Sequence, residues 1–257
     1  MSYIDLQPVL VDWHYDADRI STRKIIGSDG REKIQMRVEL GLLQMEQGGR
    51  PDGKRPFGSI SLLEHHQREL AKYERNNATT IGFALAPREC RALWDEASLY
   101  YQRYVALFVL EEFDPVMRDT SHNIAILDLC LEYALERKDR FRMESSRPYV
   151  LMMDSRARAL KSLAEGSSPS ALAHVNRGLM HIRAHFENWN RPEAYDSAEE
   201  VKLLLELRRE LVADIPADSV LVTRQELRDA IRQERFEEAA RLREQLNKMY
   251  HQDNGES

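Results

Sequence analysis

Apolar residues recur along most of this chain at intervals of three and four, in segments separated by short polar stretches rich in glycine, proline, asparagine or serine. Residues 1–19 have no clear period. Ile25 and Ile26 precede Gly27-Ser28-Asp29-Gly30, turn chemistry suited to a hairpin or to a strand-to-helix bend. Beyond it Ile34, Val38, Leu42 and Met45 fall on one helical face that ends at Gly48-Gly49. The Gly/Pro loop GGRPDGKRPFGS leads to Ser61, a capping residue for a helix carrying Leu62, His66, Leu70 and Tyr73.

Asn76 to Ala86 reads as a linker. Pro87 then opens a long helix through Leu93, Trp94, Ala97, Tyr101, Tyr104, Leu107 and Phe108, broken at Phe113-Asp114-Pro115. A second helix carries Ile124, Leu127 and Leu131. Further helices are predicted over 148–163, over 168–189 behind a Ser167 cap and Pro169, and from a Ser197 cap to Val212. The final helices form a hairpin over 222–250. In its first arm Leu227 and Ile231 share a face. In its second, Ala239, Leu242, Leu246 and Met249 do. Phe236 falls at the bend, placed to plug the apex, and Ala239-Ala240 allows close approach of the arms. Glu237 and Glu238 lie in a first turn, where the helix dipole favours carboxylates.

The pattern predicts a mainly α protein: an antiparallel, repeat-like helical stack with a short N-terminal β-hairpin and a C-terminal helical hairpin. It divides into an N-terminal region with the Gly/Pro loop (1–76), a helical body (77–215), the hairpin (216–250, after Pro216) and a polar tail expected to be disordered (251–257). Eleven glycines and nine prolines in 257 residues are too few for an all-β fold with its many special turns, which agrees.

Charge changes the picture more than size does. A net charge of −6 argues against a protein that coats nucleic acid, yet residues 19–55 hold nine Lys or Arg against five Asp or Glu. Within the loop, Arg50, Lys54 and Arg55 are candidates to hold phosphate, nucleic acid or an acidic surface. Phe57 is the loop's lone aromatic for stacking, and the glycines do not follow phosphate-loop spacing. A solvated basic loop is the plainer reading. The two cysteines, Cys90 and Cys130, sit far apart in apolar helical segments as buried free thiols. No apolar run approaches the ~20 residues of a membrane span and no secretory leader stands at the start, so a cytoplasmic protein is expected.

His174, His181 and His185 share a helical face, but Ile182 stands where a zincin-type hydrolase has its glutamate, and packing histidines are the simpler account. Trp94, Tyr101, Tyr104 and Phe108 read as core. No nucleophile, base and orienting group come together in the sequence. No catalytic residue, cofactor or metal is therefore assigned.

Two resemblances follow. Trp94-x-x-Ala97-Ser98-x-x-Tyr101 is similar to the opening of a tetratricopeptide repeat, though no second copy appears at that period. More specifically, Phe236-Glu237-Glu-Ala239-Ala240-Arg-Leu242-Arg243-Glu244-Gln-Leu246 resembles the UVR motif of the bacterial excinuclease B and C subunits, whose core is Phe-Glu-x-Ala-Ala-x-Leu-Arg-Asp-x-Ile. Glu244 and Leu246 replace aspartate and isoleucine, and Arg235 stands where the family often has an apolar residue. The motif also occurs in regulators of a bacterial protein arginine kinase and in Clp-type unfoldase machinery.

This resemblance implies a non-enzymatic adaptor or scaffold of bacterial DNA repair or protein quality control. It would dock through Leu227, Ile231, Phe236, Glu237, Ala239, Ala240, Leu242, Arg243 and Leu246 onto a protein with a similar hairpin, or onto a second copy of itself. A hairpin of about 28 residues needs such support, since isolated folds below ~40 residues are marginal. Two other classes stay open: a nucleic-acid-associated repair accessory using the basic N-terminal region, and an enzyme with a helical active site.

Overall fold

A computed structural model describes residues 5–213, 223–224, 226–227, 230–231 and 233–253. Pro216 and Val222 lie outside them. Contacts divide the chain into two compact units, Met1–Ala157 and Arg158–Ser257. The N-terminal sheet and the first part of the helical body therefore share one unit, because buried side chains join them.

A four-residue helix, α1 (Gln7–Leu10), precedes a three-stranded antiparallel sheet in the order β1-β2-β3: β1 (Thr22–Ile26), β2 (Glu32–Val38) and β3 (Gly41–Glu46). The Gly27–Gly30 turn joins β1 to β2, with the Gly27 N–H donating to the Arg31 carbonyl at 2.8 Å and Gly30 at φ 74°. The helix expected across Ile34, Val38, Leu42 and Met45 is instead the β2–β3 hairpin. Ile34, Met36 and Val38 also satisfy the strand period of two, and Gly41 disfavours a helix interior. Val38 pairs with Gly41 across Glu39-Leu40, and Ile34, fully buried, pairs with both Lys24 and Met45.

Helix α2 (Leu62–Asn77) starts as predicted, its Glu64 N–H donating to Ser61 Oγ at 3.1 Å. Helix α3 (Pro87–Val109) carries Pro87 in its first turn. Its break falls earlier than the proline suggested. Glu111 takes φ 59°, its N–H bonds to the Phe108 carbonyl and that of Glu112 to Leu107, closing the helix end. Pro115 lies inside the first turn of α4 (Phe113–Tyr133). The short helix α5 (Arg137–Glu144), not foreseen, precedes α6 (Arg147–Ala164).

The core of this unit gathers Leu62, Leu63, Leu85, Leu93, Ile126, Leu127 and Met143 around Cys90 and Cys130. Both cysteines are free and buried in this one core although 40 residues separate them, and Cys90 Sγ lies 3.9 Å from the Leu85 carbonyl oxygen. On α3, Ala97 is buried but Tyr101 is 44% exposed. The helices that follow have 21, 8 and 18 residues, so no tetratricopeptide unit of about 34 residues recurs.

In the second unit, α7 (Ser168–Asn188) and α8 (Glu199–Ala213) pack together. Asn190, at φ 53°, ends α7 as the sequence predicted. Ser167 flanks α7 without capping it: its hydroxyl donates to Ser170 Oγ at 2.8 Å. Ser197 also makes no cap, since its hydroxyl turns back to the Ala194 carbonyl at 3.1 Å. The last helix, α9 (Phe236–Asp253), runs through His251–Asp253, the start of the segment expected to be disordered. Residues 254–257 lie outside the described residues. No helix among the described residues is long and apolar enough to cross a membrane.

Candidate functional site

Two places place chemistry at the surface: the terminal hairpin and the Gly/Pro loop. In the hairpin, the described residues from Thr223 to Ile231 are helical and α9 returns after a tight turn. The turn is a Schellman closure. Glu234 takes φ 57°, its N–H bonds to the Ile231 carbonyl at 3.1 Å, and the Arg235 N–H reaches the Ala230 carbonyl at 2.9 Å. A glutamate thus occupies a left-handed position that glycine fills without strain. Arg235 pairs with Glu238 one turn on.

Ala230, Ala239 and Leu242 form the seam, with Leu227 against it. Ala230 is 0% exposed and was not foreseen, because alanine adds little to an apolar pattern. Leu246 and Met249 are half-buried, and Thr223 Oγ1 lies 3.6 Å from Met249 Sδ. Three expected seam positions face outward. Ile231 is 54% exposed and Ala240 is exposed, both one residue past a true seam position. Phe236 does not plug the apex: it is 68% exposed. Backbone hydrogen bonds close the bend, and arms meeting at alanines leave no room for a ring between them. Glu237 and Arg243 are exposed. Glu234, Arg235, Glu237, Glu238 and Arg241 surround Phe236 at an open depression of about 630 Å³.

Residues 222–252 match the family model of the UvrB/uvrC motif, UVR. The chain carries a C-terminal UVR motif. No curated protein and no solved structure matches the chain.

The three cations of the Gly/Pro loop are not equivalent. Arg50 is turned inward, its Nε 3.2 Å from Asp52 and 3.5 Å from Glu96. Lys54 and Arg55 are exposed. Beneath the loop lies a buried polar network. Arg103 and Asp119, both fully buried, form a bidentate pair at 2.6 and 2.8 Å, and Arg103 Nη1 also donates to the carbonyls of Glu46 and Gly49. Arg118 adds bonds to Asp119 and the Gln47 carbonyl.

Glu96, fully buried, accepts the Leu62 and Leu63 N–H groups at the start of α2, at 2.7 and 3.0 Å, and contacts His122 Nε2 at 3.2 Å. Burial pushes its carboxyl up, but the bonds from His122, Leu62 and Leu63 outweigh that and hold it below its ordinary value. Tyr100 stacks on His122, ring centroids 3.6 Å apart, and burial raises its phenol to about 12.

His181 is exposed, and His185 lies edge-on to Phe186 with ring centroids 5.4 Å apart. No group of three or more metal-ligating side chains forms among the described residues.

Proposed function

We propose that the protein is a non-enzymatic adaptor that docks through the outward face of its UVR hairpin, in bacterial DNA-repair or protein-quality-control assemblies. Exposed Phe236 carries this reading. The seam is filled by Leu227, Ala230, Ala239 and Leu242, so the ring is not needed to hold the arms together. A large aromatic ringed by charged side chains has the composition of a binding hot spot with a polar rim. Ile231 extends the apolar contact. The partner is a protein with a similar hairpin or a second copy of this chain, and the compartment is the cytoplasm.

The decisive experiment separates face from seam. Phe236→Asp abolishes capture of the partner, or self-association in sedimentation, while far-ultraviolet circular dichroism keeps its helical signal. Undiminished association in this variant refutes the proposal.

A further inference from the structure

Phe57 is one of three non-glycine residues with left-handed backbone among the described residues of the first unit, with Ala78 and Glu111. Its backbone lies at φ 50°, ψ 28°, a left-handed conformation that a bulky side chain rarely adopts, and its ring is 77% exposed. Burial of the ring does not explain this conformation. The ring lies parallel to that of His65 on α2, centroids 4.2 Å apart and planes 21° apart, with its other face free of any aromatic partner among the described residues. Lys54, 78% exposed along its side chain with its Nζ 3.9 Å from Asp52, and exposed Arg55 precede it on the same loop, and Arg68 on α2, 63% exposed and paired with Glu64, follows His65 by three residues. The loop is anchored from below through Gly49, Gln47 and Arg50, so the ring is held on a rigid base.

We propose that the Phe57–His65 stack with Lys54 and Arg55 binds single-stranded nucleic acid, one base extending the stack and adjacent phosphates meeting the two cations. Aromatic faces beside a few cations bind single strands without strong sequence preference, because every base has a stacking face. A protein partner fits less well: the Phe57 ring already lies parallel on His65, so what it offers is one open ring face beside cations, the form on which a base stacks. A duplex keeps its bases inside the stack and offers none to the ring. Arg50, spent on Asp52 and Glu96, belongs to the support and not to the contact surface. The site belongs to the first unit and the hairpin to the second, and failure of this proposal leaves the docking proposal untouched.

The test uses the full chain and a fluorescent oligothymidine of about 12 nucleotides, a length within single-strand site sizes. Anisotropy at low salt shows binding that weakens with a slope of about −1.4 in log K against log salt, two phosphates at ~0.7 each. Phe57→Gly lowers affinity on the order of tenfold. It leaves that slope unchanged and does not lower Tm, because glycine accepts the left-handed backbone. Lys54→Gln and Arg55→Gln each reduce the slope by about 0.7. Phe236→Asp binds the oligonucleotide as the parent does. Absence of binding at low salt, equal affinity for duplex, or full affinity in Phe57→Gly overturns the proposal. So does loss of a protein partner in Phe57→Gly without any binding of oligonucleotide by the parent chain.

Discussion

Replacing Asp119 by asparagine removes the charge that balances Arg103 and keeps the shape. Arg103 makes four hydrogen bonds, at 2.6 and 2.8 Å to Asp119 and at 2.9 and 2.8 Å to the carbonyls of Glu46 and Gly49, and neither Arg103 nor Asp119 has any exposed surface. A guanidinium left in that position without its carboxylate costs about 3–5 kcal/mol. Against a domain stability of about 5–15 kcal/mol, that is a large share.

With a urea dependence of roughly 2 kcal/mol per molar, the unfolding midpoint of the first unit falls by about 2 M. The probe must report on this unit alone, because two compact units need not unfold together. Hydrogen exchange at the Glu46 amide, bonded to the Pro51 carbonyl at 2.9 Å, serves. The double variant Arg103→Met/Asp119→Leu removes both charges and is expected to lose less than Asp119→Asn does. A loss below about 1 kcal/mol in the single variant, the value of an exposed pair, would refute the reasoning. A double variant worse than the single would refute it equally.

Three further outcomes are expected. Glu234→Gly relieves about 1–2 kcal/mol of left-handed strain against about 0.4–1 kcal/mol of added unfolded-chain entropy, a net gain of up to about 1 kcal/mol read as a rise in the hairpin's thermal midpoint; no change or a fall contradicts the turn geometry. Leu242→Asp places a charge in the seam and unfolds the hairpin by circular dichroism, whereas Phe236→Asp does not. The Glu96 carboxyl, held low in the folded chain, gives stability that is present above its unfolded value of about 4 and is lost as pH falls through the folded value. Unfolding midpoints measured from pH 6 down to about 3 therefore drop less in Glu96→Gln than in the parent, and parallel curves would rule this out.

Much of the helical architecture was legible because its signals are local. Ser61 and Pro87 announce helix starts, Asn190 announces an end, and the spacing of Leu227 and Leu242 announces the seam. Legibility failed where two periods coincide. Ile34, Val38, Leu42 and Met45 fit a helical period by coincidence: in the hairpin Met45 pairs with Ile34, while Leu42, paired with Arg37, lies on the other face of the sheet. Ile231, Ala240 and Phe236 were placed inward on apolar character alone, while Ala230, small and featureless in a pattern, takes the closest contact of the arms.

The buried network was illegible for a different reason. Arg103, Asp119 and Glu96 sit on amphipathic helices where charge reads as a solvated face. Their partners are remote: the Glu46 carbonyl is 57 residues from Arg103, and the Leu62 amide 34 from Glu96. Arg50 illustrates the consequence for function. By composition it belonged with Lys54 and Arg55, and its pairs with neighbouring Asp52 and with Glu96, remote in sequence, turn it inward.

In the first unit two features depart from the usual assignment of side chains: one ion pair is fully buried and one aromatic ring stands outside. Apolar residues of similar volume in place of a buried ion pair are often neutral or stabilising, so stability alone does not account for Arg103 and Asp119. Their distinctive property is direction. Two of the four hydrogen bonds hold the Glu46 and Gly49 carbonyls, the root of the loop that carries Phe57, and the other two fix the guanidinium on Asp119. Arg103→Met/Asp119→Leu tests this separation of roles. It is expected to fold, yet to lose affinity for oligothymidine, because an unanchored loop lets Phe57 relax from φ 50° towards ordinary backbone and leave His65. Folding with undiminished affinity would mean that the network supports the core and not the loop.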